Sequence, residues 1–335
     1  MKPKFFGLLI IMRMPETIEL SVHTDLLRAT PNLPLSKSLS NRHIMLHFVS
    51  GGIITLPELS DAHDTQALLS ILRNLPTHAN AGDGGTTFRF ALAYLALQPG
   101  YEGVLTGSER LCERPQAVLI IALRDLGADI RCIENEGFAP VAIRGRQLSG
   151  GGVELDASIS SQYASALMLV SPLMTKPLNI HFRGNAVSLS YLHKTQSLMQ
   201  QCGISWEVNA EKAQLTKWQW NAATLKPEAD WTAASYWYAF AALAGRSEIF
   251  IKNLSIQSEQ GDRITAEIFR SFGIDSHETP EGIKLIRTGT CVDFFRFDAI
   301  NNPDLVQTLV VVCVGLQIPF EISGLQTLVN KETNR

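Results

Sequence analysis

An α/β architecture of repeated units is predicted by three observations on this 335-residue chain. Helix-like and strand-like apolar periodicities alternate along most of its length. The same order of segments recurs: an apolar helix, a Gly or Pro turn, a β-rich run, a loop, a second helix, then a glycine and another strand. Gly127, Gly203 and Gly273 each follow a second helix, where a left-handed C′ residue is expected. Alternation of this kind predicts parallel strands inside each unit.

The copies follow one another in order. The first reads SNRHIMLHFVSGGIITLPELS and then DTQALLSILRN. The second is FRFALAYLALQPGYEGVLTGS with ERPQAVLIIALRDLGADIRCI, and the third is QYASALMLVSPLMTKPLNIHFRG with YLHKTQSLMQQCGISWEV. The stretch KWQWNAATLKPEADW, residues 217–231, then suits a crossing between two halves. A fourth copy, ASYWYAFAALAGRSEIFIKNLS with DRITAEIFRSFGIDSHE, follows it. The fifth, DLVQTLVVVCVGLQIPFEISGL, meets the last residues NKETNR where its second helix is due. A chain stopping inside a unit is therefore expected, with an apolar face left uncovered, because such units bury their surfaces against neighbours.

Composition narrows the function classes. A net charge of −3 with 18% charged residues argues against a nucleic-acid binder, which needs a broad basic excess; any anion site must be local. The five cysteines (Cys112, Cys132, Cys202, Cys291, Cys313) are scattered and odd in number, which suits a reducing cytoplasm better than a disulfide framework. The start, MKPKFFGLLIIM, has the charged and apolar regions of a signal peptide but is followed by RMPETIEL without a small-residue cleavage site. We read it as a short extension with the functional chain beginning near Met12 or Met14. No apolar run reaches the ~20 residues that span a bilayer. No metal-ligand spacing stands out, and His43, His47 and His63 read as packing or surface residues.

Polar clusters stand at corresponding places in the repeats, mostly just before a helix: Lys37-Ser38 with Arg42, Asp83-Gly84-Gly85-Thr86 with Arg89, Ser160-Ser161-Gln162, and Asp230 with Thr232. Helix N-termini present unpaired N–H groups and partial positive charge, and added Lys or Arg favours phosphate or carboxylate. Taken singly, Ser38, Ser40 and Thr86 suit ordinary N-caps, Gly84-Gly85 a tight turn without the ending of a P-loop, and Arg110 and Arg114 surface ion pairs with Glu109 and Glu113. Recurrence at equivalent positions is what favours an anion site.

SKSLSNR, GGTTFR, ERP, SSQYASALM, VSLSY, ADWTAASY, SEQGD, NNPDLV and KETNR occur in an order that resembles the 3-phosphoshikimate 1-carboxyvinyltransferase (EPSP synthase) family, from about Leu33 to the last residue. The resemblance implies two domains, each of three βαβαββ units, in an inside-out α/β barrel, with the second domain incomplete in this chain. It divides the chain into an extension (1–14), strand residues joining the C-terminal domain (15–30), an N-terminal domain (31–225) and a shortened C-terminal domain (226–335). It implies transfer of the enolpyruvyl group of phosphoenolpyruvate to the 5-hydroxyl of shikimate 3-phosphate with release of phosphate, without a cofactor or metal, in a cytoplasmic monomer.

By that resemblance Lys37 lies between the two substrates, and Ser38 and Arg42 hold shikimate 3-phosphate. Ser160, Ser161 and Ser188 take its phosphate, Gln162 touches both ligands, and Lys331 meets it from the second domain. Gly85, Arg114 and Arg335 contact phosphoenolpyruvate. Asp304 takes the proton from the 5-hydroxyl, and Glu332 serves proton transfer at the methylene carbon. A carboxylate among cations has a depressed pKa unless desolvated, so Glu332 as an acid requires closure and burial.

The chain departs from the family pattern at Leu35, where a glycine is usual, at Asp83-Gly84 in place of Asn-Ala, and at Asn334 in place of aspartate. Leu35 is expected to stiffen its loop, and Asp83 to need Arg89 as partner. Two phosphoenolpyruvate-binding elements have no counterpart before Arg335, so the 335-residue polypeptide is expected to turn over little. Two other classes remain: UDP-N-acetylglucosamine enolpyruvyl transferase, for which Cys112 is the candidate loop cysteine although its flanks read as structural, and a noncatalytic shikimate 3-phosphate-binding remnant.

Overall fold

The computed structural model describes residues 26–156, 162–184, 189–326 and 328. The first half carries α1 (Lys37–Val49), α2 (His63–Asn74), α3 (Gly85–Ala96), α4 (Glu109–Cys112), α5 (Ala117–Asp125), α6 (Gln162–Val170) and α7 (Leu189–Gln201). Its strands are β2 (His78–Asn80), β3 (Glu102–Thr106), β4 (Asp129–Cys132), β5 (Val141–Arg144), β6 (Gly151–Asp156), β7 (Leu178–Arg183), β8 (Ile204–Val208) and β9 (Lys212–Trp218). The second half adds α8 (Trp231–Leu243), α9 (Thr265–Ile268) and α10 (Val306–Gly315), with strands β10 (Ser247–Lys252), β11 (Ile274–Thr279), β12 (Gly282–Arg287), β13 (Phe295–Asp298) and β14 (Phe320–Ser323). One more strand, β1 (Leu27–Ala29), precedes both.

The repeat appears as one sheet plan used three times: β2-β3-β5-β4, β6-β7-β9-β8 and β1-β10-β12-β11. In each, the first two strands are parallel and the last two are added antiparallel. The expectation of parallel strands thus holds only for the first pair. In the first two sheets a helix carries the chain back to make the parallel neighbour, and in all three the last two strands are joined to each other by a short connection, which suits antiparallel pairing. Joined to their helices, two of these sheets read β2-α3-β3-α5-β4-β5 and β6-α6-β7-α7-β8-β9, the βαβαββ order. A shorter pair, β13 parallel to β14 around α10, repeats its start.

Helices face inward and sheets outward. Every residue of α3 except Thr86 is buried, and so is every residue of α6 after Gln162. The strands instead alternate, with buried Val153 and Leu155 between exposed neighbours on β6, as expected of sheets with one wet face. Gly127, Gly203 and Gly273 have φ of 99°, 90° and 72°, the left-handed values predicted at C′. At Gly203 a Cβ would also lie 2.2 Å from the Gln219 carbonyl oxygen, so a side chain is excluded twice over.

Two expected elements differ. In the first copy the strand after α1 is reduced to a bridge between Thr55 and Thr224. In the fourth, the second helix is broken into 3₁₀ turns at Gly261–Ile264 and Phe269–Phe272 around the single turn of α9. The segment is anchored at its start. Gln260 accepts from Trp231 N and donates to the Ala229 carbonyl, while the Asp262 carboxylate takes hydrogen bonds from Thr232 and Asn302. These ties fix the start of the segment in a 3₁₀ turn.

Buried apolar side chains form one main cluster from Leu39 to Leu225 and another from Ala229 to Ile318. The second contains an aromatic series in which Tyr238, Phe269, Phe272 and Phe295 follow at centroid spacings of 5.3, 5.4 and 4.7 Å, the range of favourable ring contacts. Phe240 and Val314, on the outer faces of α8 and α10, are 55% and 65% exposed. Between the clusters the chain crosses twice side by side: Leu35 bridges Ala229, Ser36 N donates to Glu228 O at 2.8 Å, and Asp230 N donates to Pro34 O at 3.0 Å. Leu35 therefore sits in extended, paired backbone that has no need of glycine.

His43, read from sequence as a packing residue, is 1% exposed, and neither ring nitrogen has a hydrogen-bond partner. Burial, then the Arg42 guanidinium, lowers its pKa to about 4. The folded value lies below the usual 6.5, so folding opposes protonation: the stabilisation is complete above pH 6.5 and is lost as pH falls through about 4. His43→Leu is expected to lose about 2 kcal/mol less stability than the parent between pH 7 and pH 5. Urea unfolding at both pH values measures this, and equal losses would show that His43 carries no such linkage.

Candidate functional site

Four helices begin at one cleft. First-turn residues Lys37 and Ser38 of α1, Thr86 of α3, Gln162 of α6 and Thr232 of α8 line a cavity of about 380 Å³, within the usual size of small-molecule sites. At α3 and α8 a polar residue, Asp83 or Asp230, precedes a helix whose later residues are mostly apolar. Convergent N-termini favour an anion.

None of Ser38, Ser40 and Thr86 is an N-cap, which corrects that reading. Helix α1 starts one residue before Ser38, with Ser36 at its N-cap, and α3 starts at Gly85 after Gly84. Inside the first turns these hydroxyls do other work: Ser40 accepts from Ser60 N at 2.9 Å, and Thr86 donates to Gln162 Oε1 at 3.1 Å. Asp230 is a true N-cap of α8, accepting from Ala233 N at 2.9 Å.

The cleft is electrostatically two-sided. One wall brings Lys37 and Arg42 from α1 and Lys194 from α7; the facing wall brings Asp230, Asp262 and Asp304. Arg42 is 1% exposed, donating from Nε to Thr195 Oγ1 and from Nη1 to the Ser38 carbonyl, both at 2.8 Å, with Phe90 beneath it. Lys37 is half-exposed and meets Asp64 at 2.8 Å. On the facing wall burial pushes the Asp262 pKa up; hydrogen bonds from Thr232 and Asn302 oppose this, and the negative charge of Asp304 adds to it.

Gln162 and the Gly85 loop extend the first wall. Arg89 reaches Gln162 Oε1 at 2.6 Å and Gln116 Oε1 at 3.0 Å, and stacks 4.7 Å over Tyr163. It does not serve Asp83, as the sequence had suggested; that carboxylate accepts from the Ser108 hydroxyl, the N-cap of α4. Arg110 does form a surface pair with Glu113 at 3.0 Å. Arg114, by contrast, is buried and donates to the Asp83 carbonyl at 3.2 Å. Its guanidinium lies flat against Gly85, where a Cβ would stand 2.6 Å from Nη2.

The structure thus brings Lys37, Ser38, Arg42, Gln162 and Asp304 to one cleft, with Gly85 and Arg114 beside them. Ser160, Ser161, Ser188, Lys331, Glu332 and Arg335 lie outside the described residues. Cys112 is not on the cleft; its sulfur contacts Thr106 Oγ1 at 3.8 Å and the Gly107 carbonyl at 3.9 Å. Sequence reasoning passed over Lys194 and Asp262. A signal existed for the first: Lys194 stands four residues before Leu198, a helical spacing that turns it toward the apolar face. Among the described residues no cluster of His, Cys, Asp and Glu is arranged to hold a metal, and no helix is long and apolar enough to cross a membrane.

Residues 76–335 match the family model of EPSP synthase (3-phosphoshikimate 1-carboxyvinyltransferase). A 3-phosphoshikimate 1-carboxyvinyltransferase of Bacteroides fragilis is 40% identical over 310 residues, covering 92% of this chain and 75% of the relative. One from Shewanella amazonensis is 31% identical over 333 residues, covering 91% and 77%. In fold, the chain is similar to the solved EPSP synthase from Acinetobacter baumannii, with a TM-score of 0.58 at 15% identity over 91% of this chain and 93% of that one. Sheet plan, ordered motifs and these likenesses agree: the chain belongs to the EPSP synthase family.

Proposed function

We propose that this chain transfers the enolpyruvyl group of phosphoenolpyruvate to the 5-hydroxyl of shikimate 3-phosphate, releasing inorganic phosphate. The observation that carries the site assignment is the two-sided cleft, with buried Arg42 and Lys194 on one wall and Asp304 on the other. A phosphate of charge near −2 at neutral pH is matched by the cationic wall. A base facing that wall stands opposite the bound acceptor, where a hydroxyl proton must leave.

In this reading Ser38 and Arg42 hold shikimate 3-phosphate, with Ser160, Ser161, Ser188 and Lys331 completing its contacts. Lys37 lies between the substrates, Gln162 touches both, and Gly85, Arg114 and Arg335 receive phosphoenolpyruvate. Protonation of the methylene carbon, assigned to Glu332, builds positive character at the adjacent carbon. The 5-hydroxyl oxygen attacks there as Asp304 takes its proton. The tetrahedral adduct then loses phosphate and, with a proton removed from the methyl carbon, becomes the enol ether product. We place the domain division at 225/226, between the two apolar clusters, and take the unit as a monomer because one chain supplies both walls. The cytoplasm is the proposed compartment, supported by five free cysteines.

Calorimetry with the 335-residue protein is expected to show shikimate 3-phosphate binding, and phosphate release on adding phosphoenolpyruvate measures transfer directly. Binding of UDP-N-acetylglucosamine in place of shikimate 3-phosphate would overturn the substrate assignment. Tight binding of shikimate 3-phosphate without any turnover would favour the noncatalytic reading.

A further inference from the structure

We propose that Lys194 is a positioning residue for shikimate 3-phosphate, holding the Ser38 hydroxyl oxygen so that its hydrogen points into the cleft. The inference rests on the substrate assignment made above and adds a residue to it. Lys194 comes from the middle of α7, is 4% exposed, and donates from Nζ to Ser38 Oγ at 2.9 Å. An ammonium is a donor only, so Ser38 Oγ must accept. Its own hydrogen is then left for Ser36 Oγ, at 3.5 Å a poor acceptor, or for an anionic oxygen arriving in the cleft.

Lys194 stands among charges of both signs. Arg42 from α1 repels the ammonium, while Asp262 from the 3₁₀ turn and Asp230 and Glu228 from the segment before α8 attract it. Burial and Arg42 outweigh these carboxylates, and the pKa of Lys194 falls to about 8. A bound phosphate adds further negative charge, favouring the protonated form. Ligand binding above pH 8 should therefore draw a proton from solution, an effect that a merely structural lysine would not show. The phosphate itself, with a second pKa near 6, is already dianionic there.

The test is calorimetry of shikimate 3-phosphate binding to the full 335-residue chain at pH 7 and pH 8.5, in buffers of different ionisation enthalpy, with Lys194→Met and Lys194→Arg beside the parent. The expected result is proton uptake by the parent at pH 8.5, at least tenfold weaker binding by Lys194→Met, and recovery to within threefold by Lys194→Arg without uptake. A parent that binds with no proton uptake overturns the proposal even if Lys194→Met fails to fold, and so does Lys194→Met binding within threefold of the parent. A parent that fails to bind shikimate 3-phosphate overturns the substrate assignment, and this inference with it.

Discussion

Arg42→Met is expected to weaken shikimate 3-phosphate binding at least a hundredfold while lowering the stability of the free protein by less than about 2 kcal/mol. The two effects separate because of where the guanidinium sits. Its bonds to Thr195 and to the Ser38 carbonyl are charge-assisted, and such bonds contribute about 1.5–3 kcal/mol each. Counted alone they would make the substitution severely destabilising. Burying the guanidinium costs several kcal/mol, however, and Arg42 also repels Lys194. Methionine fills the space over Phe90, ends the repulsion and leaves Thr195 still bonded to Ser165 at 3.0 Å. Binding has no such compensation, since a buried charge facing phosphate is what the site offers. Calorimetry and urea unfolding measure the two quantities; a Kd within tenfold of the parent, or a stability loss above about 4 kcal/mol, would show that Arg42 serves the fold first.

That cost is borne in a fold whose plan was readable in the chain and whose site was readable only in part. Helix and strand order followed from periodicity, and the left-handed glycines 127, 203 and 273 marked the repeat phase because only a residue without Cβ adopts those angles freely. What escaped were features set by distant partners. Nothing local to GDRITAEIFRSF says that Asp262 is fixed by Thr232 and Asn302, at the 3₁₀ turn with which the broken segment begins. Likewise the polar runs marked where the helices converge, but N-capping, the alternative for each hydroxyl taken singly, fails because the helices start one residue before Ser38 and Thr86. The spacing of Lys194 to Leu198 turns it toward the apolar face, but only tertiary packing places it beside Ser38, 156 positions away.

The second large effect is expected at Gly85, where the missing side chain is itself the feature. Gly85→Ala should cost about 1–3 kcal/mol of stability, the range for overpacking a close-fitted site. With shikimate 3-phosphate saturating, it should also lower phosphoenolpyruvate affinity at least tenfold. A Cβ at that position would lie 2.6 Å from Nη2 and 2.9 Å from Cζ and Nη1 of Arg114, so the whole guanidinium plane is in the way. A flexible arginine at the surface would swing aside at little cost. Arg114 is 6% exposed and tied to the Asp83 carbonyl, so it must leave a buried seat and give up a hydrogen bond. Ser38, Arg42 and Lys194 stand on α1 and α7, away from that contact, and shikimate 3-phosphate affinity should stay within twofold. The two ligands therefore respond differently, which separates a displaced Arg114 from a general loosening of the cleft. Equal weakening of both would mean that Gly85 supports the fold of the loop rather than the approach of phosphoenolpyruvate to Arg114.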